Sequence, residues 1–304
     1  MDKIVLCNDR IELALIPEFG ARIVTLIDRK TGRDWIAAGP AKGSSEDDAV
    51  FDADAATGWD ECFPTVAPCT LPDGRRLRDH GDLWGRAWVM SNLSERSVTT
   101  AYVNRSFRFT RSLALDGPAV SCLYLIENLQ EEKFDYLWAM HLLLAASESD
   151  RIELPEGTAF QFTFRSDSQP REAARWPGDG AFALNNVQPV SARYAAKLQI
   201  DAAPFEGTGI GDERGLLRIS GSGPYASSLG LWLCYGGWPA SSGLHQVAIE
   251  PTSASADDLV SAREMARAIS VPGFGRVSWQ TRLEVAPPLR PPAETNVMMT
   301  RQAQ

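Results

Sequence analysis

Apolar and polar positions alternate with a period of two along much of the 304-residue chain. Ile11, Leu13 and Leu15 face one way as far as Pro17, and after "EFGA" a second apolar run, "RIVTLID", stops at the turn-like "RKTG". This pattern predicts a β-hairpin. Further strand-like segments recur at "SVTTAYV", "FRFTRSLAL", "VSCLYLIENL", "YLWAMHLLLAA", "LGLWLCYGG", "HQVAIE" and "VSWQTRLEV", most of them separated by Gly, Pro, Asn or Asp. Many strands at short spacing with few helical periods predict an all-β protein, a large antiparallel sandwich or barrel. One stretch differs. In "ADDLVSAREMARAI", Leu259, Met265 and Ile269 fall on roughly one side and acidic residues stand near the start, which predicts a short helix.

Residues 43–58, "GSSEDDAVFDADAATG", are acidic and poor in strand formers and read as a surface loop. No linker or internal repeat divides the chain, so residues 1–287 are expected to form one domain and residues 288–304 a loose tail. Apolar residues make up 44% and charged residues 23%, the composition of a globular protein with a sizeable core. Thirty basic against 39 acidic side chains give a net charge of −9, and the basic ones are scattered, which argues against nucleic acid or an anionic membrane as partner. The five cysteines are odd in number and form no C-x-x-C pair, so reduced thiols are expected rather than a disulfide framework or a zinc site. The start of the chain lacks a basic segment followed by an apolar one, and no run of about 18 apolar residues occurs; a cytoplasmic location is the expectation.

Three histidines can be weighed one by one. His141 lies within "YLWAMHLLLA", and alternation puts it on the face of Leu137, Ala139 and Leu143, with Trp138, Met140 and Leu142 opposite. A buried imidazole must satisfy both ring nitrogens at a cost of about 1–3 kcal/mol per unmet group. The strand alone therefore leaves open whether His141 is structural or chemical. His80 stands in the polar, Gly-rich connection "RDHGDLWGRAW", which within a few residues offers Asp79, Asp82, Arg86, Trp84 and Trp88. Such a mixture suits a sugar, whose hydroxyls need donors and acceptors while its C–H face packs on an aromatic plane; the alternative is a loop pinned by core tryptophans. Glu250 ends "HQVAIE" just before Pro251, with Ala248 on its face and Val247 and Ile249 opposite. A partly buried carboxylate there could act as a base, or be an ordinary rim residue. His245 falls on the other face. Asp60 and Glu61 in "GWDECFPTVAPC" are adjacent on an extended chain and point apart, so they make a poor glycosidase pair.

Taken together, these segments resemble the galactose mutarotase-like (aldose 1-epimerase) superfamily across nearly the whole chain. "IELALIPEFGARIVTLIDRKTGRDW" is similar to its first hairpin, "ECFPT" to an element before an "H-G" loop, and "DHGDLWGRAW" to that loop. "LWAMHLLL" resembles the strand bearing a catalytic histidine and "VAIEPTSASADDL" the strand bearing a catalytic glutamate. The resemblance implies a β-supersandwich with at most a few short helices. It also implies cofactor- and metal-free interconversion of the α and β anomers of an aldose, with His141 as general acid and Glu250 as general base. His80 and Arg86 would hold hydroxyls, with Asp60, Trp84 and Trp138 as further sugar-binding positions.

The chain departs from that pattern in three places. "DLWG" separates the "H-G" pair from Arg86, "AMHLLL" lacks the asparagine and aromatics found around the mutarotase histidine, and no clear partner acid stands between His141 and Glu250, Asp201 and Asp212 being candidates by position only. The rival readings are a non-catalytic carbohydrate-binding or sugar-sensing protein on the same fold, a metal-dependent sugar isomerase, and a glycoside-processing enzyme. Against the second stands the separation of the histidines, of which the nearest pair, His80 and His141, is 61 residues apart.

Overall fold

The computed structural model describes residues 2–39, 44–169, 172–178, 183–202, 205–223, 225–240 and 242–288. The expected tail, apart from residue 288, lies outside them. Among the described residues the chain forms two large antiparallel sheets packed face to face, one of eleven strands and one of eight. The predicted hairpin is present, with Ile11–Ile16 paired to Arg22–Asp28. The middle of the smaller sheet is built from Phe107–Asp116, Ala119–Asn128 and Arg276–Ala286. Strand Phe107–Asp116 buries every second residue, as expected where one face meets the core and the other meets water.

The larger sheet positions the candidate site. Its central strands run in the spatial order Trp59–Cys62, Ala139–Ala145, His245–Thr252, Ser228–Tyr235 and Tyr194–Ile200. Trp138, Met140, Leu142, Val247 and Ile249 point toward the smaller sheet and join one core with Phe109, Tyr124 and Trp279. Aromatic packing joins the layers there, with the rings of Trp138 and Trp279 4.8 Å apart, edge to face. On the opposite face Leu143 and Ala248 belong to a separate apolar cluster with Phe51, Ala55, Ala56 and Trp84. That cluster explains why Ala139–Ala145 is buried at almost every position: both of its faces are covered.

Two expectations change. Residues 44–58 are not only surface, because Phe51, Ala55, Ala56 and Thr57 are buried against the outer face of the larger sheet. The acidic neighbours mask this in the sequence. The predicted helix is a turn and a half, Leu259–Glu264, capped by the Asp258 side chain on the amide of Ser261. Ala266 at positive φ ends it, Met265 is half exposed, and Ile269 belongs to a strand paired with Phe134–Tyr136. No helix among the described residues is long and apolar enough to cross a membrane.

Candidate functional site

Register brings the polar residues of the outer face into one row. Gln199 pairs with Gly230, and Gly230 with Glu250. The pairs Ala139–Thr252 and Leu143–Ala248 set His141 directly opposite Glu250, and His141 in turn pairs with Asp60. Because alternate residues share a face, five strands thus present Gln199, Glu250, His141 and Asp60 on one side, with a gap at Gly230. The parallel row above it holds Lys197, Trp232, Ala248 and Leu143.

Around these rows lies a cavity of about 350 Å³, within the size range of small-molecule sites. His141 Nε2 and Glu250 Oε1 face each other at 3.9 Å, too far for a hydrogen bond. Lys197 Nζ donates to the other carboxylate oxygen, Oε2. Glu250 Oε1, His141 Nδ1 and Gln246 Nε2 are buried and have no hydrogen-bond partner among the described residues. Each such atom costs on the order of 1–3 kcal/mol if left unmet, and all three belong to side chains that line the cavity. Phe51, Phe164, Trp232 and Trp238 supply flat apolar walls.

His80 enters from the loop. It adopts a left-handed conformation, and Gly81 follows at φ 72° so close to the strand before it that a Cβ would meet the carbonyl oxygen of Phe63 at 2.1 Å. Only glycine fits there. The His80 ring stacks on Phe51 at 3.9 Å and meets His141 edge-on at 4.8 Å. Its Nδ1 lies 2.8 Å from Asp79 Oδ1, while Asp79 Oδ2 accepts from the amide of Phe51 and its carbonyl from Trp84 Nε1. Burial pushes the Asp79 carboxyl up, but the bonds from His80 and Phe51 outweigh it and hold the carboxyl below its ordinary value.

Burial, followed by the charges of His80, Lys197 and Arg22, drives His141 well below the ordinary histidine value. It is neutral near pH 7. As pH falls below about 6.5 the unfolded chain takes up a proton that the folded site refuses, so this residue removes stability at up to about 1.4 kcal/mol per pH unit. Urea unfolding between about pH 7.5 and 5.5 should show a shallower loss in His141→Asn than in wild type.

The other expected site residues lie elsewhere. Asp60 shares the row but is turned to Arg22, whose Nε and Nη2 hold its two oxygens at 3.1 and 2.8 Å. Trp84 is a buried support behind Phe51, in edge contact at 5.1 Å. Trp138 points into the core and donates to Glu61 at 2.8 Å. Arg86 is bound to Asp82, Tyr102 and Asp47 outside the cavity. His245 sits between the carbonyls of Ala146 and Gln188. Asp201 pairs with Arg267, and Asp212 with Arg33 and Arg214, so neither lines the cavity; the acids that do, besides Glu250, are Asp79 and Asp257. Lys197, Phe51 and Gln246 escape the sequence reading. For Lys197 a signal exists, since "YAAKLQI" alternates Ala196, Leu198 and Ile200 with Ala195, Lys197 and Gln199, a charged residue on one face of an otherwise strand-like run.

Comparison with solved structures decides the architecture. The Slr1438 protein from Synechocystis sp. PCC 6803 superposes with a TM-score of 0.71 over 94% of this chain and 96% of its own, at 15% identity. A galactose mutarotase related enzyme from Lactobacillus acidophilus gives 0.69 over 93% and 97%, at 13% identity. The chain has the galactose mutarotase-like fold. A galactose mutarotase-like protein from Clostridium acetobutylicum shares it too, with a TM-score of 0.67 over 94% and 95% and 15% identity. No family sequence model and no curated protein sequence matches the chain. The galactose mutarotase-like sandwich thus persists here at identities where the fold, and not the choice of substrate, is what the likeness carries.

Proposed function

We propose that this protein is an aldose 1-epimerase-like enzyme that interconverts the α and β anomers of an aldose by proton transfer. The observation that carries this reading is the opposition of His141 Nε2 and Glu250 Oε1, 3.9 Å apart in a cavity with aromatic walls. The anomeric hydroxyl and the ring oxygen are bonded to the same carbon, so an acid and a base serving both must converge on one small region. In the proposed reaction Glu250 Oε1 takes the proton of the anomeric hydroxyl while His141, in its imidazolium form, gives one to the ring oxygen. The C1–O5 bond breaks, the free aldehyde turns about C1–C2, and reclosure reverses both transfers.

The depressed His141 makes the imidazolium scarce but strongly acidic, and the rate follows the product of those two factors. His80, fixed by Asp79 and stacked on Phe51, is suited to hold a hydroxyl at the edge of the cavity. The name of the Lactobacillus acidophilus neighbour, a galactose mutarotase related enzyme, is in keeping with this reading. The test is NMR of freshly dissolved neutral, deoxy, acidic and phosphorylated aldoses with catalytic amounts of protein. At least one should reach anomeric equilibrium faster than in buffer. If none does, the reading is wrong, and retained sugar binding would mark a non-catalytic carbohydrate-binding protein.

A further inference from the structure

The row containing Glu250 has a gap at Gly230, and the gap is filled from the row above. A Cβ at Gly230 would lie 2.8 Å from Glu250 Oε2 and in ordinary contact with Lys197 Cε at 3.6 Å, so a side chain there would crowd the carboxylate oxygen that the bare backbone leaves room for the lysine to bond. We propose that Lys197 is the positioning residue of this site, its ammonium clamping Oε2 of Glu250 so that the carboxylate stays ionised and the free Oε1 is aimed at His141 and the substrate.

The inference rests on the reading of Glu250 as the base. An ionised carboxylate that is almost wholly buried needs a counter-charge. The charged and titratable groups around Glu250 offer one. His141 at 3.9 Å is neutral near pH 7, the Cys62 thiol is pushed up by burial and by Glu250 itself, and Asp60 is paired with Arg22. Asp79 and Asp257 add negative charge to the cavity, and His80 is bound to Asp79. Among the described residues Lys197 alone bonds the carboxylate. Burial works against its ammonium, but Glu250 and Asp257 outweigh burial and hold it above the ordinary lysine value. A lysine bonded to one buried carboxylate, with Asp257 adding negative charge at longer range, has its place in the site toward Glu250 and not toward a phosphate or uronate.

Wild type and Lys197→Met, isotopically labelled at the glutamate carboxyl carbons, can be titrated by NMR without sugar, the Glu250 signal being the one missing from Glu250→Gln. The midpoint should rise by about one to three units in Lys197→Met and stay near wild type in Lys197→Arg. The acid limb of kcat/KM, for whichever aldose wild type anomerises, should move with it. Gly230→Ala keeps the cation but displaces the carboxylate, and should lower kcat about tenfold without the same rise in midpoint. Should Lys197→Met fail to fold, Lys197→Gln is read in the same way. An unchanged midpoint in a folded variant overturns the proposal. So does loss of binding of an acidic sugar with the midpoint unchanged, which would make Lys197 an anion anchor. If wild type anomerises no aldose, the catalytic reading falls, while the titration still decides whether Lys197 holds Glu250 ionised.

Discussion

His141→Asn and Glu250→Gln should each lower the rate of anomerisation by at least about 100-fold and leave the fold intact. Glu250→Gln keeps size and polarity, and its amide can still accept from Lys197 through its oxygen; His141→Asn keeps polarity and gives up only the edge-on ring contacts with Phe51 at 5.0 Å and His80 at 4.8 Å. What each removes is a proton carrier. The effects should not add, because ring opening needs the acid and the base in the same event; the double variant should be little slower than either single one. Polarimetry on a freshly dissolved aldose checks the rates, and circular dichroism checks the fold. Wild-type rates in either variant would refute the assigned roles.

The sequence shows the architecture more clearly than the site, for a physical reason. Strand alternation is repeated along the chain, and His141 and Glu250 fall on their faces as the pattern requires, with Leu143 and Ala248 beside them and Val247 and Ile249 behind. The same rule separates Asp60 from Glu61, one toward Arg22 and the other into the core. Pairing of distant strands is not written in any local period. The diagonal from Lys197 across Gly230 to Glu250 joins residues 53 apart, and its enabling feature is a missing side chain. Arg86 and Trp138 illustrate the reverse error. A cluster of charged and aromatic residues near a loop histidine reads as a sugar grip, yet nearby acids take the guanidinium and Glu61 takes the indole. Phe51 is hidden by its acidic neighbours, although its ring stacks on His80.

Arg111→Met should destabilise the protein by about 3–5 kcal/mol, a large share of the roughly 5–15 kcal/mol of a typical domain. Arg111 and Glu61 are both wholly buried between the sheets, 3.0 Å apart. Glu61 Oε1 also accepts from Trp59 and Tyr124 at 3.1 Å each, and Oε2 from Trp138 at 2.8 Å. Arg111 further donates to the carbonyl of Ala21 and lies over the rings of Trp59 and Trp88. Methionine keeps much of the volume but leaves the carboxylate with neutral donors alone. Burial already pushes Glu61 above the ordinary carboxylate value, and loss of Arg111, its largest opposing influence, must push it further. A group with a raised folded value contributes stability below its unfolded value of about 4.5 and loses it as pH rises through the folded one. The gap between variant and wild type should therefore narrow as pH is lowered toward 4.5 and widen toward neutrality. Urea unfolding midpoints over that range measure it. Adding Glu61→Gln to Arg111→Met should recover part of the loss, because the amide removes the stranded charge and its one oxygen keeps an acceptor on the side of Trp59 and Tyr124. A constant gap across pH, or a double variant as unstable as the sum of the singles, would show that packing around the guanidinium, rather than its charge, holds the two sheets together at this point.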